Sequence, residues 1–362
     1  MTSSQNVNRN VGIITLPGRF NYGNRLQNYA VTLVWKRLGY EPESLVLAER
    51  PNAVRSLKRG VKKILGRSDG PSPESMMSSD RLAAFDRFNE AIPTRRLAAL
   101  DSSLADAYAV FSAGSDQVWN LNMITYNDDW YFLEFARPEQ RIALAPSVGL
   151  DSLDSRQARR LAKGVKGFPR LSVREKRGAE LIKECSGRDA EVICDPTLVV
   201  SPQDWRKTAD GRCTPEGEYI FTYLLGGMSN EAKAVLDRVT DHGRIPVIPL
   251  TDREKPEEPP AGPAEFIDII DHASYVVTDS FHASVFSALM ETPLTIVRRG
   301  GTGGGMFSRL ETLAQTLGIQ DKIYVSGTLD ASRATDYEGV ADRIAAERER
   351  FMEYLEGCID AR

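Results

Sequence analysis

Apolar runs of strand length alternate with helical periodicity from the start of the chain. Residues 11–16, VGIITL, predict a buried strand that a Pro-Gly pair ends. Helical spacing follows over residues 25–38, and residues 43–47 predict the next strand. The apolar face of this helix would carry Leu26, Tyr29, Ala30, Leu33 and Val34. The strand–helix–strand order favours a doubly wound, parallel α/β sheet.

The same alternation continues far enough to predict a first domain over residues 8–207. Helices are predicted at residues 81–92 and 174–184, and strands at 107–112, 141–149 (with a loop), 171–173 and 192–194. Small residues and Asp116 follow the strand at 107–112. Such a loop is typical of the ligand side of an open α/β sheet.

A second α/β domain is predicted over residues 216–334, after a linker at 211–217, with a C-terminal helix within 335–362. Its strands are predicted at 219–224, 245–250, 275–278 and 294–297, and its helices at 230–240, 265–272 and 281–290. His282 lies in the first turn of the last of these helices, directly after a buried strand. Free N–H groups and the positive dipole end suit a phosphate or carboxylate there. An ordinary capped helix explains the same residues, and both interpretations stay open.

Composition limits the class of protein. The chain has 362 residues, 41% of them hydrophobic and 27% charged, as in a soluble globular protein. A formal net charge of −4 argues against nucleic acid as a partner. No apolar run approaches the ~18 residues that span a bilayer, and no signal peptide is predicted, so we expect a cytoplasmic protein. Its four cysteines form no C-x-x-C pair, and no metal site is predicted.

Two unusual segments interrupt the α/β pattern. Residues 50–80 contain an insert in which seven Lys or Arg side chains surround an apolar stripe between residues 54 and 65. This pattern predicts a basic amphipathic helix. It is either a solvated helix packed on the domain or a surface for peripheral contact with the inner face of the membrane. The glycine-rich run at residues 300–305 predicts a flexible loop that could act as a lid.

Five sequence motifs, taken together, resemble the polysaccharide pyruvyl transferase family. They are NYGNRLQNYA (21–30), GSDQVWN (114–120), SVRE (172–175), CDPTLVV (194–200) and TDSFHASVFS (278–287). The resemblance implies a GT-B-like fold, in which two Rossmann-type doubly wound domains face each other across a cleft. It also implies transfer of pyruvate from phosphoenolpyruvate to sugar hydroxyls, commonly as a ketal. Phosphoenolpyruvate is then a co-substrate, and no cofactor is expected.

The resemblance places phosphoenolpyruvate contacts at Arg174 and His282. The predicted catalytic residues are His282, Asp116 and Asp195. The two carboxylates are candidate bases for sugar hydroxyls, and each could instead be a helix-cap or turn residue. The predicted substrate-binding residues are Arg174, Ser280, Phe281, Asn21, Gly23, Asn24, Ser115, Arg298, Arg299 and Arg309. We also expect Arg174 to contribute little to folding.

Two positions depart from the family pattern. Ser280 stands where some members have Arg, and Ala283 stands where Gly is frequent. Arg298, Arg299 or Arg309 could supply the missing charge, or the donor is not phosphoenolpyruvate.

The acceptor is expected to be a sugar or a lipid-linked oligosaccharide, and two rival functions remain open. One rival is a GT-B glycosyltransferase that uses a nucleotide sugar, although a metal-dependent version lacks a D-x-D motif. The other is a non-catalytic homologue that binds sugars or anions.

Overall fold

The structure is a computed structural model, and it describes residues 8–48, 73–101, 103–124, 128–251, 254–299, 307–325 and 335–362. The predicted basic helix and the predicted glycine-rich loop lie outside these residues. No helix in the described ranges is long and apolar enough to cross a membrane.

The first half of the described chain contains a parallel sheet with the strand order β3-β2-β1-β4-β5. Its strands are β1 (Asn10–Ile14), β2 (Glu41–Leu47), β3 (Thr94–Leu97), β4 (Val110–Ala113) and β5 (Arg141–Ala143). A short parallel pair, β6 (Ser172–Val173) and β7 (Glu191–Val192), continues this half. The central strand β1 pairs Val11 with both Pro42 and Val110, so its apolar residues lie in the core.

The second half contains another parallel sheet with the order β11-β10-β8-β9. These strands are β8 (Ile220–Tyr223), β9 (Val247–Leu250), β10 (Tyr275–Thr278) and β11 (Leu294–Ile296). The fold is therefore α/β, with two Rossmann-like halves that face each other across a cleft in a GT-B-like arrangement. The predicted fold class is confirmed.

Helices connect and cover the strands. In chain order they are α1 (Tyr22–Arg37), α2 (Ser79–Asn89), α3 (Leu104–Ala107), α4 (Asp128–Tyr131), α5 (Ser155–Val165), α6 (Lys176–Ser186), α7 (Pro196–Val199), α8 (Pro202–Thr208), α9 (Asn230–Val239), α10 (Pro263–His272), α11 (Phe281–Met290), α12 (Ser308–Leu317) and α13 (Val340–Asp360). The sequence pattern did not predict β3, α5, α8 or α12. The strand β3 is an exposed edge strand with two arginines, and α5 has few buried residues.

The two halves share one apolar core around α1. The ring of Tyr22 stacks on Phe266 of α10, with ring centroids 5.0 Å apart, and its hydroxyl donates to the carbonyl of Ala261 at 2.7 Å. A buried ion pair between Arg81 of α2 and Glu258 also joins the halves, at 3.0 Å. Close packing and a buried ion pair therefore join the two halves.

The C-terminal helix α13 returns to the first half. Arg348 donates from Nε to the carbonyl of Leu198 at 2.6 Å and from Nη2 to the carbonyl of Val200 at 3.0 Å. These bonds satisfy carbonyls at the end of the one-turn helix α7, which also contacts α1. The helix therefore ties the end of the chain to the segment that contains Asp195.

Candidate active site

A cavity of about 510 Å³ lies between the carboxyl ends of the two sheets. Thr15 after β1, Asp116 after β4 and Ser280 after β10 all line it. Open α/β sheets bind ligands at this edge because the loops and helix N-termini that follow the strands converge there. The cavity is therefore the candidate active site.

The helix α11 brings His282 to the cavity. Ser280 caps this helix, since its side chain accepts the N–H of Ala283, and its own N–H bonds to Thr278 Oγ1. His282 follows two residues later, with its Nε2 3.8 Å from Oδ2 of Asp195. The local sequence thus fixes the position of the imidazole relative to the strand end.

Several neighbours influence the protonation of His282. Burial lowers the pKa of His282 below its usual value, and the carboxylates of Asp195 and Asp116 act against this effect. The charges of Arg174 and Arg309 lower the pKa further. The imidazole is therefore neutral near pH 7 in the ligand-free protein, and an anion bound beside it would raise its pKa.

Arg174 and Asp195 form a buried ion pair behind the cavity. Arg174 Nη1 donates to Asp195 Oδ2 at 2.6 Å, and the guanidinium lies 4.3 Å from the ring centroid of Phe281. Burial by itself would raise the pKa of Asp195, but Arg174 and His282 bring it down to about 2. Asp195 also caps α7 by accepting the N–H and hydroxyl of Thr197. It is a fixed anion that holds Arg174 in place.

This pair corrects one expectation. Arg174 was predicted to contribute little to folding, but its side chain is 1% exposed and paired with a carboxylate that is 0% exposed. Removing one member of such a pair leaves a buried charge without its partner, which strongly destabilises a protein. Arg174 therefore has a structural role whatever else it does. Within the described chain, its Nε and Nη2 have no hydrogen-bond partner.

Two further arginines reach the cavity from the second half. Arg309, in the first turn of α12, is buried, and burial together with the charge of Arg174 lowers its pKa to about 10. Arg299 lies with Nε 3.5 Å from Oδ2 of Asp279. That carboxylate also accepts the N–H groups of Leu225 and Gly226, each at 2.7 Å. The charges of Arg174 and Arg299 lower the pKa of Arg309, so these cations repel one another, and an anionic ligand would relieve this repulsion.

Asp116, which follows β4 of the first half, also lines the cavity. Its φ of 68° is in the left-handed region, which Asp tolerates better than most residues, and its backbone carbonyl accepts the N–H of Ser147 at 2.8 Å. Asn24 Nδ2 donates to Asp116 Oδ2 at 3.1 Å, while Oδ1 is 3.9 Å from Arg174 Nη2. Its position on the cavity wall suits a base for an acceptor hydroxyl.

Gly23 brings the first half into direct contact with His282. It is the second residue of α1, whose N-cap Asn21 accepts the N–H of Asn24 at 2.9 Å. A Cβ at Gly23 would lie 2.0 Å from Nδ1 of His282 and 2.7 Å from two other ring atoms. Only glycine lets the two halves approach this closely.

The structure thus separates the predicted site residues into two groups. Those that line the cavity are His282, Asp116, Ser280, Phe281, Asn21, Asn24, Arg299 and Arg309. Arg174, Asp195, Ser115 and Gly23 form a layer behind it, in which Ser115 Oγ donates to Asp195 Oδ2 at 3.1 Å. Arg298 is in neither group, since it lies over the Phe307 ring in a neighbouring cavity. The burial and pairing of Asp195 argue against its predicted role as a base on an acceptor hydroxyl.

The sequence pattern missed one wall of the cavity. Its residues are Leu16, Leu47, Met123, Ile124, Trp130 and Tyr131. Leu16 and Leu47 could have been found, because each lies at the carboxyl end of a predicted strand. Met123 to Tyr131 carry no signal of this kind. Among the described residues, no group of three His, Cys, Asp or Glu side chains could hold a metal ion.

Comparison with solved structures gives distant likenesses. A Listeria monocytogenes protein, provisionally titled a UDP-N-acetylglucosamine 2-epimerase, has a TM-score of 0.49 and 12% identity, with 98% of each chain covered. MnaA of S. aureus in complex with UDP has a TM-score of 0.45 and 12% identity, with 97% of each chain covered. The glycosyltransferase SnogD from Streptomyces nogalater has a TM-score of 0.40 and 10% identity, with 98% of each chain covered.

The comparison with protein families is decisive. No curated protein matches the chain. The model of the family described as polysaccharide pyruvyl transferase, however, matches residues 21–300, which include the cavity residues from Asn21 to Arg299. The chain belongs to the polysaccharide pyruvyl transferase family.

Proposed function

We propose that the protein transfers pyruvate from phosphoenolpyruvate to hydroxyls of a sugar in a glycan or glycan precursor. The observation that carries this proposal is the convergence of His282, Arg299, Arg309 and the N-terminus of α11 at one end of the cavity. Phosphoenolpyruvate carries a phosphate and a carboxylate close together. A cluster of cations with a helix N-terminus suits such a ligand, since its charges relieve their mutual repulsion.

In this proposal Arg299 and Arg309 bind the donor. They supply the positive charge that an Arg at the position of Ser280 provides in some family members. Ser280 and the first N–H groups of α11 contact the phosphate or carboxylate from the helix end. Arg174 acts from behind the cavity: its charge contributes to the field, and its pairing with Asp195 fixes the carboxylate beside His282. The predicted direct contact between Arg174 and the donor is not needed for this role.

The chemistry assigns separate tasks to His282 and Asp116. A proton from the His282 imidazolium goes to the methylene carbon of the donor, and an acceptor hydroxyl adds to the neighbouring carbon while Asp116 takes its proton. Phosphate then leaves, and a second hydroxyl closes the ketal. One hydroxyl proton thus replaces the proton given to the methyl group, and the other leaves with phosphate. The bound donor raises the pKa of His282, so the imidazole becomes charged where the proton is required.

Release of inorganic phosphate from phosphoenolpyruvate in the presence of a panel of sugars tests the proposal. His282→Asn keeps the size and one donor but removes the proton, so turnover should fall by about 10²-fold or more. Binding of phosphoenolpyruvate should weaken much less. His272→Asn is the matched control, because His272 is an exposed histidine on α10, and it should leave turnover unchanged.

Two outcomes would contradict the proposal. Turnover in His282→Asn equal to that of the wild type would remove the role of this residue. Sugar transfer from a nucleotide sugar, with no phosphate release from phosphoenolpyruvate, would replace the proposed reaction by glycosyl transfer.

A further inference from the structure

The cavity is divided into two parts of different charge. The lining residues from the second half include His282, Arg299 and Arg309. Among the described lining residues of the first half, the only charged side chain is Asp116, which is negative. The cations that suit an anionic donor therefore come from the second half, and the described lining residues of the first half include none.

Much of the lining that the first half contributes is apolar, and we call it the apolar wall. Leu16, Leu47, Ile124, Trp130 and Tyr131 form it, together with Met123 at the rim. The cavity is open to solvent at Met123, since this residue is 53% exposed. An apolar group of a ligand would displace water from this wall, which favours binding in proportion to the area covered. The donor, with its phosphate and carboxylate, gains nothing from such a surface.

The polar groups between the two parts determine how an acceptor would lie. Asp116 and Asn24 meet at the boundary, where Asn24 Nδ2 donates to Asp116 Oδ2 at 3.1 Å. Gln117 also lines the cavity there, and its Oε1 accepts a hydrogen bond from Asn120 at 2.8 Å. Amides and a carboxylate are suitable partners for sugar hydroxyls. A sugar bound here has its hydroxyls towards Asp116 and its other end towards the apolar wall.

We infer that the first-half part of the cavity binds a neutral acceptor sugar that carries an apolar substituent, such as an N-acyl group, a deoxy methyl group or an apolar aglycone. An acidic sugar is disfavoured, because its charge would lie beside Asp116, and no described lining residue of the first half is a cation. The arginines near Asp116, Arg25 and Arg174, are buried and bonded to Asn24 and Asp195. The role of this sugar as the acceptor rests on the proposed function. The binding preference itself follows from the wall alone.

Direct binding without phosphoenolpyruvate tests the inference. The probes are methyl and hexyl β-glycosides of glucose, galactose and N-acetylglucosamine, together with methyl β-glucuronide, measured by calorimetry. The hexyl glycoside of at least one sugar should bind about tenfold more tightly than its methyl glycoside, because several methylene groups become buried. Methyl glucuronide should bind more weakly than methyl glucoside.

Two methionine variants make the test specific. Met123→Ser should reduce the preference for hexyl over methyl to about twofold, because it removes one side of the apolar contact. Met228→Ser is the matched control, since Met228 is 51% exposed but does not line the cavity, and it should leave the preference intact. Leu47→Ser provides a second perturbation of the wall, from β2.

Each outcome separates the inference from the proposed function. Equal binding of methyl and hexyl glycosides of all three sugars, or a preference that Met123→Ser and Leu47→Ser leave unchanged, overturns the inference. A preference that depends on Met123, without phosphate release from phosphoenolpyruvate, supports the apolar subsite and contradicts the pyruvyl transfer. Phosphate release without any apolar preference supports the transfer and removes the subsite.

Discussion

Replacement of Gly23 by alanine should displace the imidazole that we place at the centre of the reaction. The new Cβ would lie 2.0 Å from Nδ1 of His282, whereas ordinary van der Waals contacts begin at 3.4 Å. The difference, 3.4 minus 2.0, requires a movement of about 1.4 Å by the ring or by α1. A displacement of this size at a reacting group costs about 10²-fold in rate, so kcat should fall by that factor.

The assay is phosphate release per folded molecule, with the melting temperature measured in parallel. Alanine favours a helix over glycine by about 1 kcal/mol, so part of the steric cost to stability of Gly23→Ala is offset. The matched control is Gly357→Ala in α13, where the new Cβ meets only the end of the flexible Arg170 side chain. It should keep full activity. A kcat for Gly23→Ala within about twofold of the wild type would refute the reasoning, because the reacting geometry would then tolerate the displacement.

Two further predictions concern the buried charges. Arg174→Gln should lower the free energy of unfolding by about 3–5 kcal/mol, because it leaves Asp195 buried without its cation. In denaturant titrations, the double variant Arg174→Gln/Asp195→Asn should recover part of this loss. An unchanged free energy of unfolding in Arg174→Gln alone would show that the pair contributes nothing to stability. The second prediction concerns His282, whose pKa is lowered in the free protein and should be raised when phosphoenolpyruvate binds. The affinity for phosphoenolpyruvate should therefore be highest below the pKa of the free protein and should be lost as pH rises through the pKa of the complex. Calorimetry between about pH 5.5 and 8 should show this decline in the wild type, and His282→Asn should keep only the part due to the phosphate itself; identical pH profiles would contradict it.

Much of the second half could be predicted from local patterns. The unit β10–α11–β11 follows from an apolar strand run, a Ser at the N-cap and helical spacing of apolar residues. These signals lie within a few residues of one another, so no distant contact is needed to identify them. The position of His282 at a helix N-terminus follows directly. The edge strand β3 could not be found in the same way, because exposed edge strands with charged side chains lack the alternation of apolar residues.

The roles of the charged residues depended on tertiary structure. From the sequence alone, Asp195 was either a helix cap or a base, and Arg174 was expected to be dispensable for folding. The structure shows that Asp195 caps α7 and also pairs with Arg174. It also brings Gly23 of one half against His282 of the other. Burial and charge around a side chain are set by segments far apart in the chain, whereas periodicity reports only which face of an element a residue occupies. The sequence by itself therefore determined many of the elements and the end of the sheets at which the cavity lies. The tertiary structure alone decided which side chains line the cavity, which ones lie behind it, and where its apolar residues come from.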